Sequence, residues 1–488
     1  MLAEAGAACP GHRAGVRKAP PRGVDPDRTR PRSTAPPAAA SRHACPRRPP
    51  SAPDPGRATR DRLRFFVDLH AAHGDVVALP LGGERLVLLA HPEAIRTVLG
   101  APQGRFKKGL GLERARMLLG DGLLTSEGDL HRRQRRLVQP AFHKERLAAY
   151  GATMVRHAEA LAADWRTRSS DSPVETSGAM HALALAIAGE TFFGADVTGD
   201  VGLVARALDD ALAAFDVALS PLYGVLRRLP GVPVIRRFDR AQRDLDALIA
   251  RLVAARRREG PGRDDLLGLL LAARDTAGDG TGMDERQLRD EILTLLTAGH
   301  ETTANLLTWS AWAIAGDDAL QQAMRDEVAQ VVGAAPLDPS HATQLPLVRA
   351  VVSETLRLHP PAWVMGRRAL VDHEVDGWTI PAGTTVLATQ YIVHRDPRWW
   401  PDPLRFDPAR WLDARADAAR PRFAFFPFGA GARMCIGDQF AWMEATLVLA
   451  ALVRAVHLTR PPDTPPPREI PSITLRAERP VPLLVRAV

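Results

Sequence analysis

The segment FPFGAGARMCIGDQF, residues 426–440, sets one cysteine between glycines and an arginine, just ahead of an apolar helical run. The chain has three cysteines, and Cys9 and Cys45 lie in a proline-rich leader, so Cys435 is the one thiol expected in the folded body. Gly431 and Gly437 permit a tight turn and the close approach of a flat partner, and Phe428 can pack beneath it. A thiol at a helix start meets unpaired amides and the positive end of the helix dipole, which favour thiolate. With no C-x-x-C pair and no neighbouring Cys or His, this thiolate excludes a tetrahedral zinc site. Three cysteines in 488 residues make no disulfide framework, which points to a reducing compartment, the cytoplasm.

The scaffold that must hold this loop reads as mainly helical. "DRLRFFVDLHAAHG" (61–74) has apolar residues at helical spacing and stops at Gly74, and "DVVALPLGGERLVLLA" (75–90) reads as a hairpin turning at Gly82-Gly83. From His91 to about Arg274 the pattern is helical, broken at "FKKGLGLERA", "FFGADVTGD" and "SPLYGVLRRLPGVP". The longest helical pattern runs from about Asp284 to Gly316, apolar over much of its surface and therefore central. "LPLVRAVVSETLRLH" is a helix stopped by Pro360-Pro361, "EVDGWTIPAGTTVLAT" reads as a hairpin with a Pro-Ala-Gly turn, and a last helix spans about Asp438 to Val456. There is no βαβ alternation. The expectation is a mainly α protein with a small β subdomain, residues 61–488 forming one catalytic domain behind a disordered leader, residues 1–60.

The net charge of +8 invites a nucleic-acid reading, but residues 1–60 hold 12 Lys+Arg against 4 Asp+Glu, and the remainder carries 52 of each sign. The leader also has 12 of the 41 prolines and no aromatic residue, a composition that cannot pack a core. No nucleic-acid partner is expected. No stretch reaches the ~18 uninterrupted apolar residues of a membrane-spanning helix.

The cysteine loop resembles the signature of the cytochrome P450 superfamily, F-x-x-G-x-R-x-C-x-G, at every fixed position from Phe428 to Gly437. The resemblance covers about residues 61–488 and implies the cytochrome P450 fold, with haem b as cofactor and Cys435 as the axial thiolate on its iron. Four further stretches agree. "ETLR" sets Glu354 and Arg357 on one helix face, and the family's third member of this charged triad maps to Arg410 in "FDPARW", with Arg405 of "DPLRF" as the alternative. "EGDLHRRQRRLVQPAF" resembles the helix beside the haem propionates, with His131 where the family usually has tryptophan and Arg135 in place. The propionate donors implied are His131, Arg135, Arg433 and Arg367, with Arg368 as the alternative. "AGHETTA" matches A-G-x-[DE]-T-T; Gly299 weakens the helix there, Thr302 can bond back to its own backbone, and the ladder would open into a groove for dioxygen. Cleaving dioxygen heterolytically needs two protons at its distal oxygen, and Thr302 and Glu301 are the candidates to supply them. His300 fills the variable position and reads as a packing or solvent-facing residue.

The function implied is a monooxygenase that hydroxylates or otherwise oxidises an apolar small molecule such as a terpene or fatty acid, by its look a bacterial member. Only 53 residues follow Cys435, too few for a flavin domain, and no cysteine cluster exists for an iron–sulfur domain, so an external ferredoxin or flavodoxin with its reductase is implied. A monomer is expected. Fatty-acid peroxygenases of the family carry Arg-Pro where this chain has Glu301-Thr302, and its isomerases depart from the threonine. The acid–alcohol pair therefore favours the monooxygenase over either, and a haem carrier without turnover has no positive feature. The expected substrate lining comes from "FKKGLGLERARMLLG" with Leu110 and Leu112, the connector "ALSPLYGVLRRLPG", Ala298, and Ala362, Trp363 and Val364.

Overall fold

The computed structural model describes residues 61–81, 84–194, 198–218, 223–229, 231–260 and 265–488. The leader, the Gly82-Gly83 turn and part of the connector after Ala218 lie outside them.

A helix from Glu285 to Ile314 forms the axis of the helical part. The Asp284 carboxylate caps it, accepting from the Gln287 N–H at 2.7 Å. Its flanks pack against three helices, Thr176–Phe193, Pro346–Leu358 and Asp438–Ala455, and Lys144–Arg166 lies against the first and last of these. Thr176–Phe193 is apolar almost all round, the pattern of a helix buried on every side. Pro233–Glu259 shows the opposite pattern: Ile235, Phe238, Ala241, Leu245, Leu248 and Leu252 form one buried stripe, and that helix packs on Val201–Ala218.

The sheet has five strands in the order Val76–Leu81, Glu84–Leu89, Thr385–Ala388, Met365–Ala369, Phe106–Lys108. Only Glu84–Leu89 and Thr385–Ala388 run parallel. At its far edge Phe106 pairs with Ala369, and Lys108 with Arg367. Its apolar face closes on Ile95, Val98, Phe423 and Phe426.

Two expectations need correction. The hairpin in "EVDGWTIPAGTTVLAT" pairs His373–Val375 with Trp378–Ile380 and turns at Asp376-Gly377, with φ of 49° and 75°. Asp-Gly is the pair such a two-residue turn selects, whereas the Pro-Ala-Gly turn leads the chain onward into the five-stranded sheet. The break expected at "FKKGLGLERA" is the strand Phe106–Lys108 followed at once by the helix Leu110–Leu119. Gly109 makes the corner, where a Cβ would stand 2.8 Å from the Gly366 carbonyl carbon. Among the described residues no helix is long and apolar enough to cross a membrane.

Candidate active site: a thiol loop and a cationic cradle

The cysteine loop is shaped by its backbone. Gly429 and Gly431 both have φ of 69°, and a Cβ on Gly431 would meet the Leu99 carbonyl oxygen at 2.3 Å. The Cys435 N–H donates to the Phe428 carbonyl at 2.9 Å, folding the loop back on itself before the C-terminal helix starts at Asp438. Phe428 packs on the core with its ring 5.8 Å from that of Trp442. The Cys435 side chain has accessible surface, yet its sulfur lies deep among protein atoms, as a group lining a concavity does. That burial pushes the thiol up to about 11, opposed by the Gly437 N–H and Arg135. The helix start therefore does not by itself yield a thiolate, because desolvation outweighs it. A bound metal cation reverses this, since coordination expels the thiol proton.

Beside the loop, basic side chains converge. His131 and Arg135 come from the helix Gly128–Val138, Arg367 from its strand and Arg433 from the cysteine loop. Arg135 Nη1 donates to the Met434 carbonyl at 2.8 Å. His131 is buried and pushed down to about 3, first by burial and then by Lys108, Arg433, Arg135 and Arg367. Burial and Arg433 bring Arg367 down to about 10. Strand alternation separates the two arginine alternatives: Arg368 pairs with Glu84 at 3.0 Å and Glu113 at 3.4 Å, leaving Arg367 toward His131.

Sequence reasoning missed two members of this group. Lys108 is buried and pushed down to about 7 by desolvation and then by Arg433. Its Nζ donates to the carbonyls of Leu123 at 2.9 Å and Ser126 at 2.6 Å. Glu127 pairs with Arg433 and accepts from the Lys108 N–H at 2.6 Å. The available signal was the alternation in Phe106-Lys107-Lys108, in which Lys107 faces Glu113 at 2.9 Å and Lys108 shares the buried side with Phe106. Lys108, Arg135, Arg367 and Arg433 crowd four basic side chains together, with Glu127 the carboxylate bonded among them. Like charges directly opposite on paired strands are unfavourable unless anions join them. A cofactor with two carboxylates at one edge and a thiolate-seeking iron fits this donor set, so the residues present suit haem.

On the central helix Thr302 Oγ1 donates to the Ala298 carbonyl at 2.6 Å. The helix stays continuous through this stretch, so the expected opening of the ladder does not occur. Glu301 is buried, accepts from Thr474 Oγ1 at 2.6 Å, and is pushed up by that burial. His300 is a packing residue: its Nε2 lies 3.1 Å from the His181 carbonyl and its ring 5.0 Å from that of His181. Both histidines are pushed down by burial, His300 to about 4.

The charged triad supports the loop from behind. Glu354 accepts from Arg357 at 2.7 and 2.8 Å, from Arg410 Nε at 3.0 Å and from the Trp411 indole at 2.9 Å, with Glu354 and Arg357 fully buried. Arg405 offers Arg357 only its carbonyl, at 3.0 Å. Arg357 also donates to the His394 carbonyl at 2.8 Å, and the His394 ring accepts the Phe426 N–H at 3.1 Å, which ties the triad to the start of the cysteine loop.

The expected substrate-lining residues separate. Leu110, Leu112, Ala298 and Ala362 are partly buried. Trp363 turns elsewhere: its indole donates to the Ser472 carbonyl at 3.0 Å and packs with Leu63 and Leu475, with Val364 beside it.

The chain matches the cytochrome P450 family over residues 56–485. It is 38% identical over 408 residues to cyclooctatin synthase of Streptomyces melanosporofaciens, covering 83% of this chain and 87% of that one. The same coverages hold for cyclooctat-9-en-7-ol 5-monooxygenase of that organism, at 35% identity over 412 residues. Pentalenene oxygenase of Streptomyces avermitilis is 34% identical over 410 residues, covering 83% of this chain and 88% of that one. The fold and site are those of a haem-thiolate monooxygenase. The chain belongs to the cytochrome P450 family and is an oxygenase that uses dioxygen and electrons from redox partners.

Proposed function

We propose that this enzyme oxidises a cyclic terpene with haem b as its cofactor, in the cytoplasm, as a monomer served by a separate ferredoxin or flavodoxin and its reductase. The observation that carries the reading is the Cys435 thiol beside a buried cluster of cations short of anions. Cys435 would hold the iron, and His131, Arg135, Arg367 and Arg433 the two propionates, by charge-assisted bonds worth about 1.5 to 3 kcal/mol each. When bound, haem supplies the site for reductive activation of dioxygen. The reaction balances as substrate C–H, O₂, two electrons and two protons giving C–OH and water. Thr302 and Glu301 are the residues assigned to move those protons, and burial shifts the Glu301 carboxyl toward its protonated form.

The substrate class is supported by relatives named for cyclooctat-9-en-7-ol, cyclooctatin and pentalenene. On this reading the apolar side chains of Leu110, Leu112 and Ala298 would line its pocket.

Two measurements test the reading. Reduced protein under carbon monoxide should give the red-shifted Soret band of thiolate ligation, lost in Cys435→His. A difference-spectral titration of cyclic terpenes, fatty acids and macrolides should show tightest binding among the terpenes. A preference for fatty acids would overturn the substrate class and leave the enzyme class standing.

A further inference from the structure

Trp309 is buried on the central helix seven residues after Thr302, close to two turns and so on the same face, about 10.5 Å further along the axis. Its ring lies flat on that of His359, with centroids 3.9 Å apart and planes at 3°. His359 ends the helix Pro346–Leu358, and its Nδ1 donates to Glu469 Oε1 at 2.7 Å. The other oxygen of Glu469 accepts from Tyr391 Oη at 2.5 Å. Arg395 donates to Oε1 at 2.9 Å, and its guanidinium covers the phenol ring at 3.6 Å. An indole, an imidazole, a carboxylate and a phenol from four separate elements thus make one unbroken line of contacts, from the central helix to the half-buried Tyr391.

The two ends of this line differ in what meets their protons. A buried indole N–H usually finds an acceptor, yet among the described residues Trp309 Nε1 has none. An electron lost from Trp309 is therefore not made good by proton transfer, and the deficit moves on. At Tyr391 the phenolic proton is already bonded to a carboxylate, which His359 and Arg395 hold down to about 2 against the pull of burial. Loss of an electron there hands the proton to Glu469, and the deficit settles on the phenol. Packing alone does not account for the bare indole.

We propose that Trp309, His359, Tyr391 and Glu469 form an electron-donating chain that protects the enzyme from hydrogen peroxide made in uncoupled turnover. The electron leaves Tyr391 and passes through His359 and Trp309 to the cofactor that peroxide has oxidised, and the phenolic proton goes to Glu469. An external one-electron reductant such as ascorbate then returns an electron and a proton to Tyr391. Over two such rounds hydrogen peroxide, two electrons and two protons become two waters, and two ascorbates each lose one electron and one proton. The protons released through Glu469 balance those that peroxide consumes. The role rests on the reading that haem binds at Cys435 with Thr302 beside it.

The test reads a radical rather than turnover. Haem-loaded enzyme without substrate is mixed with hydrogen peroxide, freeze-quenched and measured by electron paramagnetic resonance, with and without ring-deuterated tyrosine. Wild type should give a tyrosyl signal that narrows on deuteration. The chain has three tyrosines, so the site can be assigned by substitution. Tyr391→Phe should abolish the signal. Trp309→Phe should abolish it too, because a phenyl ring keeps the packing on His359 but is far harder to oxidise. The double variant Tyr150→Phe/Tyr223→Phe, with Tyr391 its one tyrosine, should retain it. With ascorbate present, peroxide should bleach the haem of Tyr391→Phe faster than that of wild type, and equal bleaching would overturn the protective role. A tyrosyl signal that survives Tyr391→Phe, vanishes in the double variant or is untouched by Trp309→Phe would overturn the chain. So would the absence of any tyrosyl signal in a wild type whose carbon monoxide form shows the red-shifted Soret band, a result that leaves the enzyme class standing. Absence of that band would sink both. Should Tyr391→Phe not fold, the double variant alone carries the assignment to Tyr391.

Discussion

Glu301, buried on the central helix, accepts a 2.6 Å hydrogen bond from Thr474 in the turn of the C-terminal hairpin Glu469–Pro471 and Leu475–Ala477. The contact joins this carboxyl to a segment 173 residues away. It is also the largest influence lowering this carboxyl against its burial. Thr474→Val should therefore raise the Glu301 pKa further. The infrared band of its protonated carboxyl should persist to higher pH than in wild type, and Glu301→Gln should remove that band altogether. A band unchanged by Thr474→Val would detach the hairpin from the acid.

Thr302→Ala should bind haem, substrate and dioxygen but release hydrogen peroxide in place of product, so that reductant is consumed with poor coupling. Glu301→Gln should slow dioxygen consumption itself and enlarge the solvent isotope effect, because an amide cannot relay the proton that a carboxyl carries. Peroxide-driven turnover should survive Thr302→Ala better than reductant-driven turnover. Wild-type coupling in Thr302→Ala would remove this pair from proton delivery.

Arg410 and Arg405 make a matched comparison. Arg410→Leu strands the buried Glu354–Arg357 pair with one partner missing and should cost ~3 to 5 kcal/mol in chemical denaturation. Arg405→Leu keeps the backbone carbonyl that Arg357 uses and should stay within about 0.5 kcal/mol of wild type. The reverse order would exchange their roles.

Glu291 supplies a pH signature. Burial pushes its carboxyl up to about 7 from 4.5. A raised folded pKa means the protonated form is the one the fold prefers. Its contribution is full below about 4.5 and is lost as pH rises through about 7. Glu291→Gln keeps an acceptor for Leu123 and does not ionise. The stability of the variant relative to wild type should rise across that window by about 3 kcal/mol. The buried histidines act in the opposite direction over overlapping pH, so the difference between the two curves is the quantity to measure. A flat difference would show that Glu291 ionises freely in the fold.

Local patterns foretold the central helix and the residues of the cysteine loop, because each is written in contiguous residues. The placing of Arg410 rather than Arg405 on Glu354 was readable from motif spacing. Lys108 was not, since its meaning depends on a strand partner more than 250 positions later, Arg367. Trp363 was assigned to the substrate lining by its neighbours in sequence, while its indole answers to Ser472, a carbonyl that no local pattern points to. The setting of the thiol was half legible for a related reason: the helix start is visible in sequence, but the desolvation that opposes it belongs to the assembled fold.

The parallel pairing of Glu84–Leu89 with Thr385–Ala388 has a consequence for synthesis. The first hairpin leaves the ribosome with one edge open, and its parallel partner is made ~300 residues later, about 15 to 60 s at ordinary elongation rates. Throughout that interval Val87, Leu88 and Leu89 stand on a strand with no neighbour on that side, the kind of edge that recruits other chains. Yield in a heterologous host should then depend on how fast codons between the two strands are read and on chaperones that shield nascent β edges.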